Sequence, residues 1–340
     1  MTSCRPEYKK EMSTLQGSLV ALVTPMKAEP PHELDVEALK RLVEWHIGEG
    51  TDAIVATGTT GESPTLTCRE WETVVSICVG VAAGRVAVIA GTGTNCTATS
   101  VEKTKRAQEL GADAALVVTP YYNKPTQAAL VEHYRTIAAA VPDFPIITYN
   151  VPGRTACDLL PETIAKIATE AQNVIGNKEA SGNFERFKAQ RKLLGPAFRI
   201  FSGEDCQSCE AMLAGACDGV ISVTSNIVPR QMHYMCQLAL RGDREKAKQI
   251  DGQLMGLHKN LFCEPNPTAS KWLLAELGRI PPGIRLPLLP LSACYHDTVR
   301  NALKEAQNAQ VPVERVCVLR KEQPDLGALR HVPVSDENNA

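Results

Sequence analysis

The chain has 340 residues, enough for two ordinary domains or for one large α/β barrel around a single core. Its 36 Lys and Arg nearly balance its 38 Asp and Glu, for a formal charge of -2 without any block of like charge, which excludes nucleic acid and anionic membranes as main partners. Apolar residues at 44% and charged residues at 22% are ordinary globular usage, which excludes wholesale disorder and fibrous repeats.

Residues 1–16 read as a leader without the apolar core of a signal peptide, so the cytoplasm is the expected compartment. A first β-branched run, Leu19 to Thr24, precedes a helix behind an Asp35 cap, with Val36, Leu39, Leu42, Val43 and Ile47 at helical spacing. The second run is Ala53 to Thr57. Thr67 and Glu70 then form a capping box ahead of Val74, Val75, Cys78 and Val79. This helix and the third run, Val86 to Gly91, make the most membrane-like stretch, but Ser76 and Gly84-Arg85 break it into pieces too short for a bilayer. Ala114 to Thr119 is the fourth run. Thr126 caps a helix carrying Leu130, Tyr134, Ile137 and Val141, and Pro145 to Tyr149, Val174 to Lys178, Arg199 to Ser202 and Gly219 to Val223 complete the series.

The starts of these runs lie roughly 20 to 34 residues apart, close to the ~30 that one βαβ unit occupies. Continuously apolar strands such as Ala53-Ile54-Val55-Ala56 imply burial on both faces and a parallel sheet. With no linker and no division into halves, the expected fold is a (β/α)8 TIM barrel over residues 17–240. A C-terminal helical extension over 241–307 follows, with Trp272 and Leu273 among its apolar positions, and then a loose polar tail over 308–340 containing Pro312, Pro324 and Pro333.

In such barrels the chemistry sits where strands end at the C-terminal face. Alternation along the sixth strand puts Val174, Gly176 and Lys178 on one face, assigned to the barrel interior so that Lys178 points into the mouth. A lysine stripped of hydration water favours the neutral amine, which attacks carbonyls, so Lys178 reads as a Schiff-base lysine; the competing reading is a structural ion pair with Glu179 or Glu204. Gly58-Thr59-Thr60-Gly61 can offer hydroxyls and free amides to a small carboxylate, or form an ordinary turn. Tyr149 and Tyr122 can pass protons or simply pack, and Arg154 can grip a carboxylate or lie in solvent. Gly91-x-Gly93 lacks the third glycine of a dinucleotide loop, Cys206-x-x-Cys209 has no second ligand pair, and the seven His are scattered, so no metal is expected. The 12 Cys are expected to be reduced and mostly buried.

Gly58-Thr59-Thr60-Gly61-Glu62, Pro120-Tyr121-Tyr122-Asn123-Lys124-Pro125, Tyr149-Asn150-Val151-Pro152-Gly153-Arg154-Thr155, Lys178-Glu179-Ala180 and Gly219-Val220-Ile221-Ser222-Val223 together resemble the motif set of the 4-hydroxy-tetrahydrodipicolinate (dihydrodipicolinate) synthase family, within the pyruvate-dependent class I aldolases and lyases. The resemblance spans about residues 17–306 and implies condensation of pyruvate with L-aspartate 4-semialdehyde in lysine biosynthesis, by a homo-oligomer, usually a dimer of tight dimers. It implies that Lys178 forms the imine and that Tyr149 transfers protons, linked through Thr59 to Tyr122 from a neighbouring subunit. Thr60 and the backbone of Ile221 would hold the pyruvate carboxylate, Arg154 would hold the carboxylate of the semialdehyde, and Gly203 would join the substrate-binding set. The alternatives are another pyruvate-dependent aldolase, acting on a sugar acid or hydroxy-oxoglutarate, and a catalytically silent barrel acting as a binding subunit; Arg154, which the similar sugar-acid aldolases lack, speaks against the sugar-acid reading, and intact Lys178, Tyr149 and Thr59 speak against the silent one. Imine chemistry needs no cofactor, so none is expected.

Two departures from the family pattern stand out. Asn177 replaces an apolar residue and needs a hydrogen-bond partner in the helical layer. At the family's regulatory site Asn95 and Tyr121 match, but Thr99 replaces an acidic residue, and Cys68 and Trp71 replace histidines, so weak or absent inhibition by lysine is expected.

Overall fold

A computed structural model describes Met12 and residues 14–312. Strands β1 (Gly17–Ala21), β2 (Ala53–Ala56), β3 (Ala87–Gly91), β4 (Ala114–Val118), β5 (Ile146–Asn150), β6 (Val174–Glu179), β7 (Arg199–Ser202) and β8 (Gly219–Ser222) pair in chain order, all parallel, until β8 closes on β1. The expected TIM barrel is therefore the fold. Helices α1 (Val36–Gly48), α2 (Cys68–Ala82), α3 (Thr97–Glu109), α4 (Gln127–Ala140), the short α5 (Pro152–Thr155), α6 (Pro161–Glu170), α7 (Glu185–Leu194), α8 (Asp205–Leu213) and α9 (Pro229–Arg241) fill the connections and follow β8.

Local chemistry accounts for the helix starts. The Asp35 side chain accepts from the Ala38 amide, Thr67 and Glu70 form the reciprocal capping box, and the Thr126 side chain accepts from the Ala129 amide. Behind these caps, Leu39, Leu42, Val43 and Ile47 of α1 and Trp71, Val74, Val75 and Cys78 of α2 turn inward, each large side chain gaining roughly 1.5–3 kcal/mol over exposure. β1 ends earlier than its apolar run, because Asn226 intervenes: its side chain accepts from the Val23 amide and donates to the Ala21 carbonyl, drawing the backbone out of the ladder.

Two apolar layers result. One fills the barrel with Leu19, Ala21, Val55, Ile89, Leu116, Ile147, Phe201 and Ile221, closed at the N-terminal end by Met12 and Leu15; the other lies between strands and helices. One assignment needs correction. Ile146 pairs with Val174 but Ile147 with Gly176, so β6 carries an extra residue at a bulge. Val174 consequently packs in the outer layer and Ile175 against the interior, whereas Gly176 and Lys178 keep the expected phase. The cysteines are also less buried than expected: Cys68, Cys96, Cys206 and Cys294 are exposed, although all the described ones are unpaired thiols.

After the barrel, α10 (Arg244–Asn260) packs on α9, and α12 (His296–Gln307) lies along α10, with α11 (Thr268–Glu276) between them in sequence. Among the described residues no helix is long and apolar enough to cross a membrane. Most of the leader (residues 1–16) and most of the tail (residues 308–340) lie outside the described residues.

Candidate active site

Lys178 stands on β6 between Tyr149 of β5 and Phe201 of β7, in register with both. Its side chain is 6% exposed, and its Nζ lies 4.4 Å from the centre of the Tyr149 ring, within cation–π range. Neither expected carboxylate pairs with it. Glu179 points the other way, as alternation demands, and accepts from Asn150 Nδ2 at 3.1 Å, Gln190 Nε2 at 2.7 Å and the Ser181 amide at 3.0 Å. Glu204 lies on the same side as Lys178 but makes no ion pair with it. Lys178 thus has no ion-pair partner among the described residues, which removes the structural-pair alternative.

Asn177, also outward, has the partners its burial requires. Thr148 Oγ1 donates to its Oδ1 at 2.8 Å, and its Nδ2 donates to Gln190 Oε1 at 3.0 Å. The network continues from Gln190 to Glu179, tying β5 and β6 to α7 behind the lysine.

The Gly58–Gly61 loop after β2 reaches the same mouth. Thr60 is buried and its hydroxyl accepts from Asn266 Nδ2 at 2.9 Å, a residue from the segment between α10 and α11. The loop is anchored further by Thr24 Oγ1, which donates to the Gly61 carbonyl at 2.7 Å. Glu62, with a φ of 54°, turns its carboxylate into a buried ion pair with Lys271 of α11 and accepts from the Arg285 amide at 3.2 Å. Burial lowers the pKa of Lys271 and the adjacent Glu62 raises it, the burial effect being the larger.

Gly203 follows β7. A Cβ there would sit 2.5 Å from Ala180 Cβ and 3.0 Å from Lys178 Cε, so glycine is what lets the backbone pass the lysine stem. Next to it Glu204 is partly buried; desolvation raises its carboxyl pKa, Asp205 adds to the rise, and the charges of Lys178 and Arg154 oppose it. Asp205 is committed elsewhere, accepting from the amides of Val223 at 3.0 Å and Thr224 at 3.1 Å and so fixing the turn after β8.

Lys178, Tyr149, Thr59, Thr60, Arg154 and Gly203 line one narrow cavity of about 50 Å³ at the barrel mouth. Ile221 lies beneath it in the interior layer. Arg154 is exposed and unpaired among the described residues, its guanidinium available to an anion. Tyr122 is not among the lining residues; it is 87% exposed with a φ of 73°. Of the regulatory candidates, Asn95 and Asn123 are linked, with Asn123 Nδ2 donating to the Asn95 carbonyl at 2.7 Å, and Tyr121 is 40% exposed. Trp71 is buried, its indole N–H spent on the Gly91 carbonyl at 2.9 Å.

Sequence reasoning missed Glu204, Phe262 and Asn266, which also line the cavity. In the sequence Glu204 reads only as an ion-pair partner of Lys178; Asn266 and Phe262 had no local signal, coming from a helical extension far along the chain.

A larger cavity of about 590 Å³ opens at the opposite, N-terminal end of the barrel, lined by Met12, Pro145, Val174, Leu194 and Phe198 among others. It holds none of the candidate residues just described.

Comparison with known proteins agrees with this geometry. The 4-hydroxy-tetrahydrodipicolinate synthase of Methylococcus capsulatus is 52% identical over 292 residues, 86% of this chain and 99% of that protein, and its Acidithiobacillus ferrooxidans counterpart is 53% identical over 291 residues, 86% and 98% of the two chains. The crystal structure of the dihydrodipicolinate synthase from Acinetobacter baumannii, complexed with pyruvate, superposes with a TM-score of 0.83 at 49% identity, covering 86% of this chain and 99% of that one. A monomeric dihydrodipicolinate synthase variant also superposes with a TM-score of 0.83, at 42% identity over 87% and 98% of the two chains. The profile of the dihydrodipicolinate synthetase family matches residues 14–306, and the chain belongs to that family.

Proposed function

We propose that this enzyme condenses pyruvate with L-aspartate 4-semialdehyde through an imine on Lys178. The observation that carries the reading is the placement of Lys178: a buried amine without a carboxylate partner, against Tyr149, in one cavity with Arg154 and the Thr59-Thr60 loop. The amine adds to the ketone carbon of pyruvate and water leaves, giving an imine whose methyl protons are acidic. Tyr149 moves one of these protons, and the enamine carbon attacks the aldehyde carbon, whose oxygen takes up a proton. The amino group of the semialdehyde then adds to the imine carbon and displaces Lys178, closing the ring. In this reading Thr60 and the Ile221 backbone hold the pyruvate carboxylate, Arg154 holds that of the semialdehyde, and Gly203 leaves room for both.

The exposed Tyr122 supports a homo-oligomer, a dimer of tight dimers, in which its phenol completes the relay through Thr59 in a neighbouring site. We place the reaction in the cytoplasm, the compartment that keeps unpaired thiols such as Cys96 and Cys206 reduced.

The test is borohydride trapping with pyruvate, mapped by mass spectrometry, followed by a coupled assay with the semialdehyde. An adduct on Lys178 with turnover is the expected result. No adduct overturns every imine reading, and an adduct without turnover of the semialdehyde points to a different aldehyde.

A further inference from the structure

Two adjacent carboxylates follow β7, and they are used differently. Asp205 is consumed by backbone amides, whereas the Glu204 side chain has no hydrogen bond or ion pair among the described residues and lines the cavity with Lys178 and Arg154. Its backbone is held firmly: Ser202 Oγ donates to the Glu204 carbonyl at 2.8 Å, the Glu204 amide donates back to Ser202 Oγ at 3.1 Å, and the preceding Gly203 amide donates to the Glu179 carbonyl at 2.7 Å. A partly buried carboxylate without a hydrogen bond carries a desolvation cost, which the charges of Lys178 and Arg154 oppose and an incoming cation relieves further.

The cavity therefore presents three charged groups with separate tasks. The Lys178 amine is taken up by the keto acid, and Arg154 attracts a carboxylate. Glu204 then brings a carboxyl group to the same cavity as that arginine. An α-amino acid is a zwitterion whose ammonium and carboxylate share one carbon, so neighbouring acceptor and donor charges match its end.

We propose that Glu204 receives the α-ammonium of the aldehyde substrate and so selects an α-amino acid semialdehyde over its desamino analogue. This deepens the reading of the site as a synthase and rests on it. Glu204 is also positioned to take a proton from that ammonium, converting it to the free amine that adds to the imine carbon; the proton moves from nitrogen to the carboxylate, and no further reactant is needed. Desolvation, which raises the Glu204 pKa, favours this acceptance.

Glu204→Gln keeps the shape and removes the charge. Three measurements on the full chain separate the possibilities: borohydride trapping with pyruvate alone, kcat/KM for L-aspartate 4-semialdehyde, and the rate of trapped aldol adduct with succinic semialdehyde, which has the same aldehyde and carboxylate but no amine. The expected result is pyruvate trapping within about twofold of the parent, a loss of roughly 30-fold for the amino aldehyde, mainly in KM, and a change under about threefold for the desamino one. Equal losses for the two aldehydes, or no loss for either, overturn the assignment, and the pyruvate trap shows that the variant is folded. If the parent forms no pyruvate adduct, it is the imine reading that fails, so the two failures are distinguishable.

Discussion

Gly203→Ala tests how closely the site is packed. The added Cβ would meet Ala180 Cβ at 2.5 Å, Lys178 Cε at 3.0 Å and the Glu179 carbonyl oxygen at 3.2 Å. Ordinary carbon contacts are about 3.5–4.0 Å, so the first of these is roughly 1 Å too short. The backbone at Gly203 is not in the left-handed region, so alanine adds no torsional strain and the effect is purely steric. Ala180 sits on rigid strand-end backbone, and the group able to yield is the flexible stem of Lys178. Overpacking of this kind costs about 1–3 kcal/mol of stability, and a displacement near 1 Å of a reacting group costs on the order of 100-fold in rate. The assay is the rate of borohydride trapping with pyruvate, beside thermal unfolding of the same preparation. Gly252→Ala, an exposed position of α10 where nothing lies within 4 Å of the new Cβ, is the matched control and gains roughly 0.5–1 kcal/mol in helix propensity. If Gly203→Ala traps pyruvate at the parental rate and melts at the parental temperature, the close passage of this backbone by Lys178 is wrong.

Four further outcomes are expected. Tyr122→Phe, at an exposed phenol, should lower kcat by about 100-fold while moving stability by less than ~0.5 kcal/mol; parallel losses in both would make Tyr122 a packing residue. Lysine should not inhibit at micromolar concentrations in a steady-state assay, since Thr99 offers no carboxylate to its ammonium and Lys103, one turn further along α3, holds its Nζ 5.0 Å over the Trp71 ring; micromolar inhibition refutes this. Asn177→Ala leaves Gln190 Oε1 without its donor and should cost about 2–4 kcal/mol in denaturant unfolding, with kcat within about threefold well below the melting temperature, because Asn177 faces away from Lys178. Burial holds the pKa of His46 at about 3, with Arg279 adding to the effect, and that of His133 at about 4, both below the value of about 6.5 for an unfolded histidine; stability is therefore complete above pH ~6.5 and falls by up to ~1.4 kcal/mol per unit and per histidine toward the folded values. A His46→Gln/His133→Gln variant should flatten that dependence between pH 6.5 and 5.

The parts of this enzyme legible in the sequence are those whose physics is local. Asp35, Thr67 with Glu70, and Thr126 cap their helices through bonds that span three residues, and each pattern is visible in the chain. Lys178 was legible because alternation over two residues places it opposite Asn177 and Glu179, both turned outward. The same rule failed four residues earlier, at Val174, where a bulge inserts a residue that only the pairing with β5 reveals.

What the sequence hid is the return of the C-terminal segment over the mouth. Asn266 meets Thr60, and Lys271 meets Glu62, across 206 and 209 residues of chain. A buried carboxylate needs a cation or a set of hydrogen-bond donors beside it; Glu62 takes a cation, but nothing in the Gly-Thr-Thr-Gly-Glu motif says which of 36 Lys and Arg supplies it. The helical extension therefore has a part in the site that its composition does not announce. It braces the loop that presents Thr59 and Thr60 and adds Phe262 and Asn266 to the wall of the cavity, while the barrel supplies Lys178, Tyr149, Arg154 and Glu204. The barrel and the extension thus meet at Thr60 and at Glu62, on the loop that leads into the cavity where Lys178 stands.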